Sequence, residues 1–153
     1  MEVKKASAKN MRQYVVFRVE SQEFGADIHK ISIIEKMMNI SRVPSTPAYI
    51  KGVVNLRGEI IPIMSLRLKF GLPEIDADDD TRMIIFKFND VALGAIVDGV
   101  AEVVNLSDDD IENISAISND RNYDYIMGIG KAEGRLITLL NIEKLINELV
   151  TKE

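Results

Sequence analysis

The chain has 153 residues, 46% of them hydrophobic and none of them cysteine, which allows a buried core without disulfide or thiolate-zinc staples. With 24 acidic against 19 basic residues the formal charge is −5, which speaks against a surface built to track nucleic-acid phosphates. The longest apolar runs, such as Ile60 to Met64, fall far short of the roughly 20 residues of a membrane-spanning helix.

Residues 1–11 carry Lys4, Lys5 and Lys9 but lack the apolar core of a signal peptide, so they are expected to form a flexible basic tail. Residues 14–19, rich in β-branched and aromatic types, predict a strand that turns at Glu20 to Gln22 into a second short strand. Ile28, Ile31 and Ile34 recur at spacing three and predict a helix over 28–37. A second short helix is predicted over 47–51, with Thr46 as cap, Pro47 in the first turn and Gly52 at the end. Residues 53–56 and 59–64 flank Arg57 and Gly58 as a hairpin, with Pro62 marking an edge or a bulge. The acidic stretch from Glu74 to Asp80 reads as a solvated linker without the glycine and terminal glutamate of a calcium loop. Beyond it, residues 83–88 predict a strand that turns at Asn89 and Asp90, and residues 135–140 follow a turn at Glu133 and Gly134. The end, 142–150, predicts a helix capped by Asn141, with Ile142, Leu145, Ile146 and Leu149 on one stripe.

Two offsets reveal an internal repeat. Shifted by 69, Tyr14 to Val19 fall on Met83 to Phe88, Gly25 on Gly94, and Ile28, Ile31 and Ile34 on Val97, Val100 and Val103. Shifted by 76, Tyr49 to Val53 fall on Tyr125 to Ile129, Gly58 on Gly134 and Ile61 on Ile137. The chain therefore divides into similar halves, 12–73 and 81–149, each of a size to close into a small β-barrel. By symmetry the contact between the halves is expected to form a partner-binding groove lined by those isoleucines and valines.

The standard catalytic constellations fail. His29 is the only histidine, no Gly-x-Ser-x-Gly elbow occurs, and Gly128, Gly130 and Gly134 miss the dinucleotide spacing and precede a strand. Asp108, Asp109 and Asp110 read as turn caps. No enzyme activity, cofactor or metal is expected, and an adaptor is the remaining class. Arg57 stands out, because a tight turn wants Asn or Asp before Gly. An arginine there offers a planar five-donor group to a partner's carboxylate or helix carbonyl, and its equivalent in the second half is Glu133.

Thr46 to Gly58, with Ile61, Pro62, Leu66, Arg67, Ile96 to Val100 and Asn141 to Leu145, resembles the CheW family of bacterial chemotaxis coupling proteins over about 12–149. The resemblance implies a mainly β chain of two intertwined five-stranded barrels of Src-homology-3-like type with a C-terminal helix. It implies a cytoplasmic, non-enzymatic adaptor, monomeric in isolation and recruited to receptor arrays without inserting into the membrane. Its partners would be the cytoplasmic tip of a methyl-accepting chemoreceptor and the regulatory domain of the histidine kinase CheA. On that pattern the receptor's helical hairpin contacts Ile28, Ile31, Ile33, Arg57, Val100 and Val103. The kinase contacts fall around Val43 and around Asp110, Ile111, Glu112 and Ile117. Family members often carry an acidic residue where this chain has Ile33, with Glu35 two positions later. Two alternatives remain: a CheW-like module for a different signalling partner, which in the CheV arrangement needs a receiver domain this sequence lacks, and a small-barrel nucleic-acid binder, which needs a basic aromatic face.

Overall fold

In the computed structural model, which describes residues 11–113 and 125–151, the strands form wherever β-branched and aromatic residues cluster. They are β1 (Arg12–Val19), β2 (Gln22–Asp27), β3 (Ile31–Lys36), β4 (Ile50–Leu56), β5 (Glu59–Ser65), β6 (Arg82–Phe88), β7 (Val91–Val97), β8 (Gly99–Leu106), β9 (Ile111–Glu112), β10 (Ile126–Ala132) and β11 (Arg135–Leu140). Two α-helices, α1 (Leu66–Lys69) and α2 (Ile142–Thr151), and two 3-10 turns, Ile28–Lys30 and Asp108–Asp110, complete the described elements. None of these helices is long and apolar enough to cross a membrane.

The strands make two sheets, ordered β8-β1-β2-β11-β10-β9 and β3-β6-β7-β5-β4, each belonging to its own compact unit of Src-homology-3-like type. Of the described residues, unit 1 comprises those up to Phe17, Gln22–Ile28 and those from Ala101 onward; unit 2 comprises Arg18–Ser21 and His29–Val100. These units are not the two sequence halves. The β1-β2 hairpin of the first repeat joins β8 to β11 of the second, and the β6-β7 hairpin of the second joins β3 to β5 of the first. The acidic stretch 74–80 is thus a loop within unit 2 rather than a linker between units. Unit 2 has the five strands expected, whereas unit 1 has six because the two-residue β9 pairs with β10.

The exchanged pairing explains both repeat offsets. Gly25 lies opposite Leu139 in the parallel β2–β11 pair, and Gly94 opposite Ile63 in the parallel β7–β5 pair. A Cβ on Gly25 would meet Leu139 Cδ2 at 2.8 Å, and one on Gly94 would meet Ile63 Cδ1 at 2.5 Å, so at both crossings a side chain of the partner strand occupies the space that a larger residue would need. At the other offset, β4 and β10 carry register shifts between Ile50 and Gly52 and between Ile126 and Gly128. Beyond each shift one more segment is added: Ser41 bridges Val53, and β9 pairs with β10.

The core of unit 2 gathers Val54, Ile61, Ile63, Met83, Ile85 and Ala92, with Ile33, Met37, Met38, Ile40, Leu56 and Ile96 packed around it. That of unit 1 gathers Tyr14, Val16, Leu106, Ile137 and Leu139. Phe17 and Phe24 stack with centroids 6.0 Å apart. Each of these large apolar side chains contributes about 1.5–3 kcal/mol by leaving water.

The 142–150 helix forms as expected. Asn141 Oδ1 accepts from the Lys144 N–H at 3.1 Å, and Ile142, Leu145 and Ile146 are buried. The other two predicted helices do not form. Residues 28–30 make one 3-10 turn and 31–36 are β3; Ile31 and Ile33 are half-buried while Ile34 faces the other way, so spacing three joined two faces of a strand. Around Pro47 only a turn forms, closed by the Ile50 N–H to the Pro47 carbonyl at 3.0 Å, and Ile50 already begins β4. Pro62 lies inside the sheet order rather than on an edge strand, but pairing of β5 with β7 starts only at Ile63, so its missing N–H costs no ladder bond on that side.

Candidate partner-binding surfaces

Arg57 and Gly58 form a two-residue turn between β4 and β5 with φ of 54° and 88°, the geometry whose twist matches the flanking strands. The turn is held by the Gly58 N–H donating to Asn55 Oδ1 at 2.9 Å. Arginine is strained there, and Arg57 is exposed and makes no ion pair among the described residues. Its donors are therefore available to a partner.

The other residues expected at the receptor contact divide between the units. In unit 2, Ile31 and Ile33 sit on β3 opposite Phe86 and Ile85. Both are half-buried, and Ile33 packs on the core cluster. The apolar side chain that β3 presents outward is Ile34, 37% exposed, matched on β8 by Val100 at 37%. In unit 1, Ile28 is half-buried and Val103 is 48% exposed on β8. Both β3 and β8 are end strands of their sheets among the described residues. Val97, read from symmetry as lining a groove, is fully buried and fills the core instead.

Of the residues expected at the kinase contact, Val43 is 39% exposed in the loop before β4. It lines a cleft of about 600 Å³ with Ile40, Arg42, Pro47, Ile50 and Lys51. Asp110 is committed locally, its Oδ2 accepting from the Ser107 N–H at 2.8 Å and the Ser107 hydroxyl at 3.1 Å. That is the capping role the acidic triplet predicted. Ile111 packs on the unit 1 core, and Glu112 pairs with Lys131 at 3.2 Å on the surface. Ile117 lies outside the described residues. No cluster of three or more potential metal-ligating side chains occurs among the described residues.

The strongest polar constellation is one that motif reading quoted without a role. Arg67 forks onto Asp98, with Nε 3.1 and 3.2 Å from the two carboxylate oxygens and Nη2 at 2.8 Å. Its Nη1 donates to Glu20 at 3.3 Å and to the Pro73 carbonyl at 3.1 Å. Asp98 also accepts from the Glu20 N–H at 2.6 Å, and its own N–H donates to the Arg18 carbonyl at 2.9 Å. Burial pushes the Asp98 carboxyl up, but the hydrogen bonds from Arg67 and the Glu20 N–H, with the charges of Arg67 and Arg18, hold it below the ordinary carboxylate range. The hydrogen bond to Asp98 raises Arg67 in turn. With side chains only 14% and 11% exposed, this pair fastens α1 and the Arg18–Ser21 segment to the end of β7.

Comparison with known proteins gives a consistent picture. A family model described as CheW-like domain matches residues 13–150. The chemotaxis protein CheW of Helicobacter pylori is 35% identical over 146 residues, 95% of this chain and 87% of that one. That of Klebsiella aerogenes is 34% identical over 136 residues, 89% and 82% of the two chains. Among solved structures, the scaffolding protein TtCheW from Thermoanaerobacter tengcongensis is similar at 32% identity with a TM-score of 0.77, covering 84% of this chain and 88% of its own.

Proposed function

Because this chain belongs to the CheW-like family, we propose that it is a non-enzymatic cytoplasmic adaptor. It couples the cytoplasmic tips of chemoreceptors to the regulatory domain of the histidine kinase CheA, within membrane-associated receptor arrays. The observation that carries the reading is the family match across residues 13–150. The surfaces described above supply the chemistry. Arg57 offers donors to a carboxylate or to the last carbonyls of a receptor helix, and Ile34, Val100 and Val103 offer exposed apolar area for an amphipathic helix. Val43 with its cleft in unit 2, and the Asp110 to Glu112 turn in unit 1, are each a kinase contact on this reading.

A chemical-shift titration with a soluble receptor-tip fragment, then with the CheA regulatory domain, tests this. The receptor fragment should perturb Arg57, Ile31 and Val100, and the kinase domain a separate set around Val43 and Asp110. Silence toward both partners at high concentration would remove the coupling function. In the same assay Arg57→Glu should weaken receptor binding by about tenfold or more, since it reverses the charge at the contact. The thermal transition should hardly move, because Glu133 already occupies the equivalent turn at φ 52°. An unchanged affinity would take Arg57 out of the receptor contact.

A further inference from the structure

The cleft of about 600 Å³ beside Val43 is lined by a single stretch of chain, residues 40–51, and its charged linings are Arg42 and Lys51, with no carboxylate. That volume is typical of a small-molecule site. Arg42 and Ser45 make no hydrogen bond or ion pair among the described residues, so a guanidinium and a hydroxyl stand uncommitted at the cleft. Ser45 holds φ of 63°, a strained conformation of the kind that gathers at ligand clamps. Beside these donors Ile40, Val43 and Ile50 supply apolar wall. Lys51 serves two cavities, for it also lines a smaller one of about 120 Å³ with Glu74, Arg67 and Asp98. Its Nζ lies 2.6 Å from Glu74 Oε2, and with Glu74 44% exposed the pair is open to water and exchangeable.

We propose that this cleft binds a small phosphate monoester with an apolar body. Arg42 takes the phosphate with its planar fork, the Ser45 hydroxyl adds a donor, and Lys51 adds its ammonium by turning from Glu74. Ile40, Val43 and Ile50 cover the apolar body. Together these donors exceed what the two oxygens of a carboxylate take up and suit the three terminal oxygens of a phosphate. Glu74 is then the ligand's internal competitor for Lys51 and sets how tightly it binds. Since Val43 is also read above as a kinase contact, a bound ligand would compete with the kinase there. That consequence rests on the coupling function, whereas binding to the chain alone does not.

Amide chemical shifts of the chain alone, titrated with phenyl phosphate at constant ionic strength, test the proposal. Saturable shifts should centre on Arg42, Val43, Ser45, Thr46 and Lys51. Phenyl phosphate should bind at least about fivefold more tightly than inorganic phosphate, which lacks the apolar body, and than benzoate, which lacks the third oxygen. Arg42→Ala should weaken phenyl phosphate by about tenfold or more and leave the thermal transition in place, since Arg42 is exposed. Glu74→Gln should tighten binding by about threefold or more, because it frees Lys51. Asp76→Asn, which removes a carboxylate from the smaller cavity but none from Lys51, should change affinity by less than about twofold. Shifts that scatter over the chain without saturating would mean an adventitious ion only and end the proposal. Benzoate bound as tightly as phenyl phosphate, Arg42→Ala binding like wild type, or equal effects of Glu74→Gln and Asp76→Asn would each overturn it too.

Discussion

Gly52→Ala is expected to destabilise unit 2 by about 4 kcal/mol, the joint effect of backbone strain of about 1–3 kcal/mol and overpacking of similar size. Gly52 has φ of 144°, a conformation that side-chain-bearing residues rarely adopt. A Cβ there would run into the Ser41 carbonyl oxygen, with the Ser41 carbonyl carbon at 2.8 Å and Ile40 Cγ2 at 2.9 Å. Relief is blocked, because Ser41 is tied to Val53 by two backbone hydrogen bonds of 2.8 Å each. The methyl would have to break that bridge, which joins the loop before β4 to the sheet and sets the wall of the Val43 cleft. At roughly 2–4 °C per kcal/mol for a chain of this size, the melting temperature should fall by about 8–16 °C in a calorimetric scan. Gly58→Ala is the internal control: its φ is also positive, at 88°, but no atom lies within 4 Å of the added Cβ, so only the conformational cost of about 1–2 kcal/mol applies. Equal losses from the two variants would show that the close approach of Ser41 contributes nothing.

The same glycine shows how much of the fold was legible in the sequence. Its recurrence as Gly128 was visible as a repeat, yet its position after Pro47 suggested the end of a helix. The operative constraint is an approach by a segment eleven residues earlier, which no local pattern encodes. The hairpins around Glu20, Arg57, Asn89 and Glu133 were readable because turn chemistry and strand composition act over a few residues. The exchange of hairpins between the two repeats was legible only through the family resemblance, which implies intertwined barrels. The repeats share their strand pattern and the glycines at the parallel crossings, Gly25 and Gly94, and a pattern local to each hairpin does not distinguish the two topologies. Ile31 and Ile34 misled for the opposite reason: their spacing suits a helix, but in β3 half-buried and exposed positions alternate strictly and the two fall on opposite faces. The exposed turn of Arg57 was legible because Gly58 and the flanking apolar strands mark a tight hairpin over a few residues. The settling of Ile33 onto the core depended on long-range packing and was not.

Arg67→Ala should remove about 3 kcal/mol at neutral pH, the lower end of what breaking one side of a buried ion pair costs. Asp98 would keep the Glu20 N–H and the charge of Arg18 but lose all three close contacts from the guanidinium. Arg67→Lys should recover little, since a point ammonium cannot bridge both oxygens of Asp98 while also reaching Glu20 and the Pro73 carbonyl. The pH dependence carries a definite sign. The folded-state carboxyl of Asp98 is held below its unfolded value, so its stabilisation is complete above the unfolded value of about 4 and is lost as pH falls through the folded one. The gap between wild type and Arg67→Ala in denaturant titrations should therefore stay constant from pH 7 to about 5 and narrow toward pH 3. A gap independent of pH would mean that Arg67 acts through the packing of its stem and its bond to Pro73 rather than through Asp98. Because the fork joins α1 to the point where β7 ends and β8 begins, its loss should loosen the start of β8. Receptor affinity, on the reading that Val100 lies at that contact, should then fall in Arg67→Ala more than in Gly58→Ala. That comparison asks whether the ion pair positions Val100 as well as holding the fold.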